Sequence, residues 1–160
     1  MDNWIILYVY DGAEERVVRK LKEKLNPSEF QPFIPMKEVI FRRKGIDNIE
    51  LKMLFPGYVF MQTNVEADLI FDKIKILVRS YSSIYSVLHY DGNEKNIALN
   101  RHERISLEQL MDENFCIKGS IGIITDGILH ITSGPLMGME NKVNKIDRHK
   151  RSAIVTLEAV

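Results

Sequence analysis

Very little in this chain is suited to covalent or metal chemistry. Its 160 residues include one cysteine, Cys116, which excludes an intrachain disulfide framework and a cysteine-based zinc site. Lys118 is the only cation beside that thiol, so Cys116 reads as inert rather than nucleophilic. The histidines, His89, His102, His130 and His149, show no i, i+4 pair. His102-Glu103 lacks the second histidine of an H-E-x-x-H site. Gly119-Ser120-Ile121-Gly122 is not followed by the Gly-Lys-Ser/Thr of a phosphate loop, and no G-x-S-x-G occurs. No apolar run approaches the ~18 residues of a membrane span. Met1-Asp2-Asn3-Trp4 lacks the basic start of a signal peptide. The expectation is a non-enzymatic, soluble, cytoplasmic protein with no cofactor, no metal and no membrane association.

Net charge is also absent. Lys and Arg total 22, as do Asp and Glu, so the whole-chain balance announces no polyanionic partner. From Lys118 onward, however, 6 Lys/Arg face 4 Asp/Glu. Most of that excess lies in one short run, Lys142 to Arg151. With 45% apolar and 28% charged residues, the composition is that of a folded chain. Two domains sharing it would each have a thin core.

The periodicity divides the chain into two characters. Trp4-Ile5-Ile6-Leu7-Tyr8-Val9-Tyr10 predicts a central strand covered on both faces. A helix follows, with Asp11 as its cap, Glu14 as the return partner of a capping box, and Val17, Val18, Leu21 and Leu25 on one face. Strands are expected at 38–43 and at about 51–62, paired as a hairpin through a polar connection reaching Asn48. The second of these is broken by Phe55-Pro56-Gly57. A helix fits 66–77, a strand 84–90 ending at Asp91-Gly92, and a third helix 101–112. After Phe115 no helix signal remains. Ile, Thr and Gly dominate, and turns fall at Asp126-Gly127, Ser133-Gly134-Pro135 and Arg148 to Arg151. This pattern predicts an α+β domain over 1–115, a linker at 116–119 and a small β module over 120–160.

Four stretches stand out in order: Trp4 to Tyr10 with its charged helix; Phe55-Pro56-Gly57-Tyr58-Val59-Phe60; Leu77-Val78-Arg79-Ser80; and Ile131-Thr132-Ser133-Gly134-Pro135-Leu136 through Lys145-Ile146-Asp147. Together they resemble the NusG family of transcription elongation factors, being similar to its opening strand and first helix, its F-P-G-Y-V strand, its V-R-S and a KOW motif. The resemblance implies an NGN-like domain followed by a KOW-like β-barrel. The run Lys145 to Arg151 looks most like the LoaP-type antiterminator paralogue. Asn141 stands where many KOW motifs have glycine and is expected to take its turn with positive φ. The family's barrel has strands beyond the one expected at 154–157, so the barrel is expected to be incomplete unless another chain or a further segment closes it. The alternative to a polymerase-bound factor is a stand-alone, ribosome-associated KOW-type RNA-binding protein.

The resemblance also assigns candidate sites. Trp4, Tyr8, Phe55, Pro56, Gly57 and Tyr58 would form an apolar seat for the clamp helices of the largest RNA polymerase subunit, with Trp4 equally readable as core. Arg42, Arg43 and Lys44 on a hairpin tip would meet phosphates, those of non-template DNA among them. Arg79 would serve structure or nucleic-acid contact. Lys142, Lys145, Arg148, His149, Lys150 and Arg151 would bind a nascent RNA hairpin; the bland reading of that run is a solubilising turn. Met137 and Met139 read as a soft protein contact or as core filling. A monomer is expected. Some relatives refold the C-terminal segment into helices. Here its β-branched residues and glycines favour a standing β form.

Overall fold

The computed structural model describes residues 1–90, 92–93 and 96–156. The chain forms two compact units, one from Met1–Pro35 with Met53–Arg104, the other from Met36–Lys52 with Ile105–Val160. The architecture is mixed α+β, with strands β1 (Asn3–Val9), β2 (Phe30–Phe33), β3 (Met36–Arg43), β4 (Ile46–Met53), β5 (Tyr58–Thr63), β6 (Ile84–Val87), β7 (Cys116–Ile117), β8 (Ile121–Thr125), β9 (Ile128–Ser133), β10 (Val143–Asp147) and β11 (Ser152–Val155). The helices are α1 (Glu14–Lys24), α2 (Ala67–Ser80) and α3 (Arg101–Leu110).

The first unit is built on a four-stranded sheet in the order β2-β5-β1-β6. β1 is central, as its unbroken apolar run demands, and pairs antiparallel with both β5 and β6. Ile5, Leu7 and Val9 point to one face. There they pack with Val17 and Leu21 of α1, Ile70, Ile74 and Leu77 of α2, and Val59 and Met61 of β5. Each such side chain, fully buried, contributes roughly 1.5–3 kcal/mol of transfer free energy. The 3.6-residue spacing of Val17 and Leu21, and of Ile70, Ile74 and Leu77, is what lets each helix lay one stripe on the sheet.

Several boundaries differ from the sequence expectations for physical reasons. β2 holds Pro32, which argues against a strand. It is nevertheless an edge strand, pairing only with β5, where a missing N–H is tolerated. β4 starts at Ile46, because Lys44 and Gly45, at φ 51° and 79°, make a two-residue hairpin turn whose positive φ angles match strand twist. β4 lies next to β3, whereas β5 pairs with β1 and β2. Helix α1 begins on Ala13 without a side-chain cap, so the Asp11–Glu14 capping box does not form. Asp91 lies outside the described residues.

In the second unit β4-β3-β7 form a three-stranded sheet, with β7 parallel to β3. The residues expected as linker are fastened here. Glu38 Oε2 accepts the Gly119 N–H at 2.8 Å, Lys118 Nζ lies 3.2 Å from Glu38 Oε1, and Asp112 Oδ1 accepts the Cys116 N–H at 2.9 Å. These contacts hold the Glu38 and Asp112 carboxyls below their ordinary range. For Glu38 the Gly119 amide is the largest cause, followed by Lys118; for Asp112 it is the Cys116 amide. β8-β9 and β10-β11 are separate two-stranded sheets, and among described residues none from Lys118 to Thr156 is fully buried. The described strands thus form an open β module, not a closed barrel. Asn141 sits in a short 3-10 turn, Glu140–Lys142, and the positive φ falls on Gly138 instead. The last part of the expected 154–157 strand, Leu157, lies outside the described residues, as does Val160.

Candidate docking face and nucleic-acid interface

The second face of the first sheet carries Trp4, Ile6 and Tyr8 of β1. Opposite them in register stand Tyr58 and Phe60 of β5, with Phe33 of β2 against Phe60. The two ends of this face differ. At one end Trp4 is 1% exposed and packs edge-on against Phe33 and Phe60, with centroids 5.2 and 6.1 Å away. At the other end Tyr8 is 41% exposed, with Tyr58 at 5.3 Å and Tyr85 stacked at 5.1 Å. Tyr10 continues the ladder, its ring centroid 3.9 Å from that of Tyr85. Phe55 stacks on Phe60 at 5.6 Å with its outer side open.

A bulge puts Tyr85 in this row. Tyr8 pairs with Ser86 and Val9 with Ile84, so Tyr85 is the extra residue on β6. Such an insertion re-aims side chains, and here the ring falls onto Tyr8. A hydrogen bond with Tyr10, then burial, hold the Tyr85 phenol above its ordinary pKa.

The Phe55-Pro56-Gly57 break is fixed from both sides. Gly57 has φ +83°, the left-handed region glycine enters freely. Its N–H donates to Glu14 Oε1 at 2.8 Å, and its carbonyl accepts from Val9 N at 2.9 Å. Tyr58 N closes the turn onto the Phe55 carbonyl at 3.3 Å. Glu14 is 1% exposed, and its second oxygen has no hydrogen-bond partner among the described residues. Of the six residues read as a protein seat, Tyr8 and Tyr58 share the accessible end with Tyr10 and Tyr85, while Phe55 lies on Phe60 of the other end with part of its ring exposed. Pro56 and Gly57 shape the turn, and the Trp4 ring lies in the core. Sequence reasoning missed Tyr10, Tyr85 and the part played by Glu14. Only the strand register exposes the first two, and only the tertiary fold the third.

The basic candidates fall into distinct places. Arg79 is exposed in the last turn of α2, where a cation suits the helix dipole. It belongs to the first unit, as the other basic candidates do not. In the second unit Lys142 lies at one end of the β10-β11 hairpin, Lys145 along it, and Arg148, His149, Lys150 and Arg151 at the other end. Asp147 shapes that turn by accepting the Lys150 N–H at 2.9 Å, and Arg151 closes it at φ 50°. Arg42, Arg43 and Lys44 form the end of β3 and its turn, all exposed. Asp47 of β4 then joins the two groups. Its Oδ1 lies 3.4 Å from Arg42 Nε and 2.7 Å from Arg151 Nη1. The Arg151 hydrogen bond is the chief reason its carboxyl is held below the ordinary range. An apolar cleft of about 770 Å³ in this unit is lined by Ile40 and Ile49 of the β3-β4 hairpin and by Ile121, Leu129, Ile131 and Ile146 of the β module. No described helix is long and apolar enough to cross a membrane, and the described residues hold no cluster fit for a metal ion.

Comparison with known proteins agrees with the architecture. The family described as transcription termination factor nusG matches residues 2–108. The transcription termination/antitermination protein NusG of Neisseria meningitidis serogroup B is 21% identical over 160 residues, covering 97% of this chain and 87% of that protein. The protein of the same name from Deinococcus radiodurans is 33% identical over 72 residues, covering 41% of this chain and 38% of its own. With more than half its length matched, and with an α+β unit and a β-rich segment in the order such a chain requires, this protein belongs to the NusG family of transcription termination/antitermination factors.

Proposed function

We propose that this chain is an elongation or antitermination factor that docks on RNA polymerase through the open aromatic end of its first sheet and binds nucleic acid through the basic turn of its β module. The observation that carries the docking reading is the contrast along one sheet face. Trp4 is sealed, while Tyr8, Tyr10 and Tyr85 stand 41%, 46% and 50% exposed in a continuous ladder. Packed but accessible tyrosines desolvate much area with few rotors to immobilise, which suits an interface anchor. The family resemblance makes the clamp helices of the largest polymerase subunit the partner. The domain division that goes with this reading is an NGN-like part over 1–115 and a KOW-like part over 120–160.

For the β module, the supporting feature is the density of Arg148, His149, Lys150 and Arg151 on one exposed turn held by Asp147. A nascent RNA hairpin is the target this charge fits, and the same run suits a LoaP-type antiterminator. The family match over residues 2–108 lies outside the β module and favours this reading over a stand-alone ribosomal RNA-binding protein. The test is transcription through an intrinsic terminator with purified polymerase, with and without the protein and a leader hairpin. A change in read-through that requires Tyr8 and Tyr85 supports the proposal. Equal read-through under all conditions sinks it.

A further inference from the structure

Two guanidinium groups from strands far apart in sequence converge on one carboxylate oxygen. Arg42 Nε and Arg151 Nη1 lie 3.4 and 2.7 Å from Asp47 Oδ1. The two nitrogens are therefore no further apart than those contacts laid end to end. The turn bearing Arg151 also carries Arg148 and Lys150, and the tip bearing Arg42 also carries Arg43 and Lys44. The two turns thus bring six cations to this part of the unit, against the carboxylates of Asp47 and Asp147. The placement does not hang on the ion pair alone. β7 runs parallel to β3, Glu38 holds Gly119 and Lys118, and the hairpin and the β module line one apolar cleft.

We infer that Arg42 and Arg151 form a single clamp for a phosphodiester group of nucleic acid, and that Asp47 is the internal anion occupying it in the free protein. The inference rests on the reading of the basic turn as a nucleic-acid site and extends that site to the β3-β4 tip. A forked guanidinium matches the oxygens of a carboxylate or a phosphate equally well. Asp47 takes a hydrogen bond from Arg151 and an ion pair from Arg42, whose Nε–H donates to the Gly45 carbonyl at 3.2 Å, and so holds the position a bridging phosphate would take. The arginine and aspartate side chains are largely open to solvent, so the Asp47 pairs are weak. A lone anion gains nothing by displacing Asp47. A polyphosphate strand makes several contacts at once and releases counterions along its length, so it displaces the carboxylate readily. Asp47 therefore acts as a filter that favours a nucleic-acid strand over small anions.

The test measures binding of the full chain to a labelled RNA stem-loop and to a single-stranded DNA of equal length, across salt concentrations. The variants are Asp47→Asn, Arg42→Gln, Arg148→Gln, Arg151→Gln, the Arg42 and Arg151 changes together, and that pair combined with Asp47→Asn. Asp47→Asn is expected to tighten binding about threefold to fivefold, the scale of one exposed ion pair. That gain is expected to vanish when both arginines are replaced. Arg42→Gln and Arg151→Gln are each expected to reduce the salt slope by about one unit. Because the clamp touches only phosphates, a loss of slope is expected with both the RNA and the DNA, and the tighter of the two ligands identifies the source of the strand. If Arg148→Gln and Arg151→Gln weaken binding while Arg42→Gln and Asp47→Asn are silent, the clamp is overturned and the basic-turn site stands. If none of the substitutions changes binding, both fall.

Discussion

Glu14 and Gly57 are joined by a hydrogen bond of 2.8 Å, from the buried amide of the glycine to Oε1 of a carboxylate 43 residues earlier in the chain. The bond explains why a glutamate in the first turn of α1 is buried. It satisfies the N–H of a residue whose positive φ breaks the strand just before Tyr58, and so fixes the turn that presents Phe55. Removing the acceptor strands a buried donor, a loss of about 1–3 kcal/mol. Glu14→Ala is expected to lower the unfolding free energy, read from urea denaturation, by that amount and to weaken polymerase binding. Glu14→Gln keeps an amide oxygen for the same bond and is expected to recover most of both. Equal loss in the two variants would show that charge, not the acceptor, is what matters.

The two ends of the aromatic face should separate stability from binding. Trp4→Ala empties a sealed site and is expected to destabilise by about 3–5 kcal/mol. Tyr10→Ala removes an exposed ring and is expected to leave the unfolding midpoint nearly unchanged while weakening polymerase binding. Paired denaturation and binding curves check this. A Tyr10 variant that binds normally would remove the ladder's outer rung from the interface.

The fastening of residues 116–119 to β3 should depend on pH. Glu38 is held below its ordinary pKa by the Gly119 amide and by Lys118, while Asp112 opposes them. Its folded-state pKa is therefore below the unfolded value. The contribution is fully present above the ordinary glutamate value of about 4.3 and is lost as pH falls through the lower folded-state value. Lys118 stays protonated throughout. Hydrogen exchange at the Gly119 amide is expected to show protection at neutral pH that disappears in acid. Protection factors unchanged down to the lowest pH at which the chain stays folded would contradict the assignment.

Gly134 in the KOW-like motif has φ +96°, and an added Cβ would lie 2.6 Å from Ser120 Cα and 2.7 Å from the Gly119 carbonyl. Gly127 has φ +79° but nothing within 4 Å. Gly127→Ala should cost only about 1–2 kcal/mol, the left-handed backbone penalty. Gly134→Ala adds a clash with backbone and is expected to disrupt the packing of Ser120 against that turn. Amide shifts of Ser120 and Leu136, whose N–H donates to Ser120 Oγ at 3.1 Å, report the difference. Similar effects for the two alanines would argue against the close approach.

Much of the fold was legible because periodicity reports burial. The run Trp4 to Val9 identified the central strand, and Val17 with Leu21 identified the packed face of α1. Tertiary events were not legible. Pro32 concealed an edge strand, and Lys44-Gly45 made a tighter turn than its polar neighbours suggested. Glu14 looked like a capping partner because three-residue spacing is local information, whereas its real partner is Gly57. The docking candidates Tyr8, Phe55 and Tyr58 were named from the motif. Tyr85 was not, since a one-residue bulge in β6 aims it and no local pattern announces that. The basic run Arg148 to Arg151 was visible as charge, but its meeting with Arg42 through Asp47 required the topology.

The claim on which this account depends is that the open tyrosine ladder is the polymerase seat. Equilibrium titration of purified RNA polymerase with the wild-type chain and with Tyr8→Ala/Tyr85→Ala measures it directly. Two interface anchors are expected to account for a loss of at least about tenfold in affinity, with the unfolding midpoint of the variant retained. Wild-type affinity in a folded double variant would contradict it.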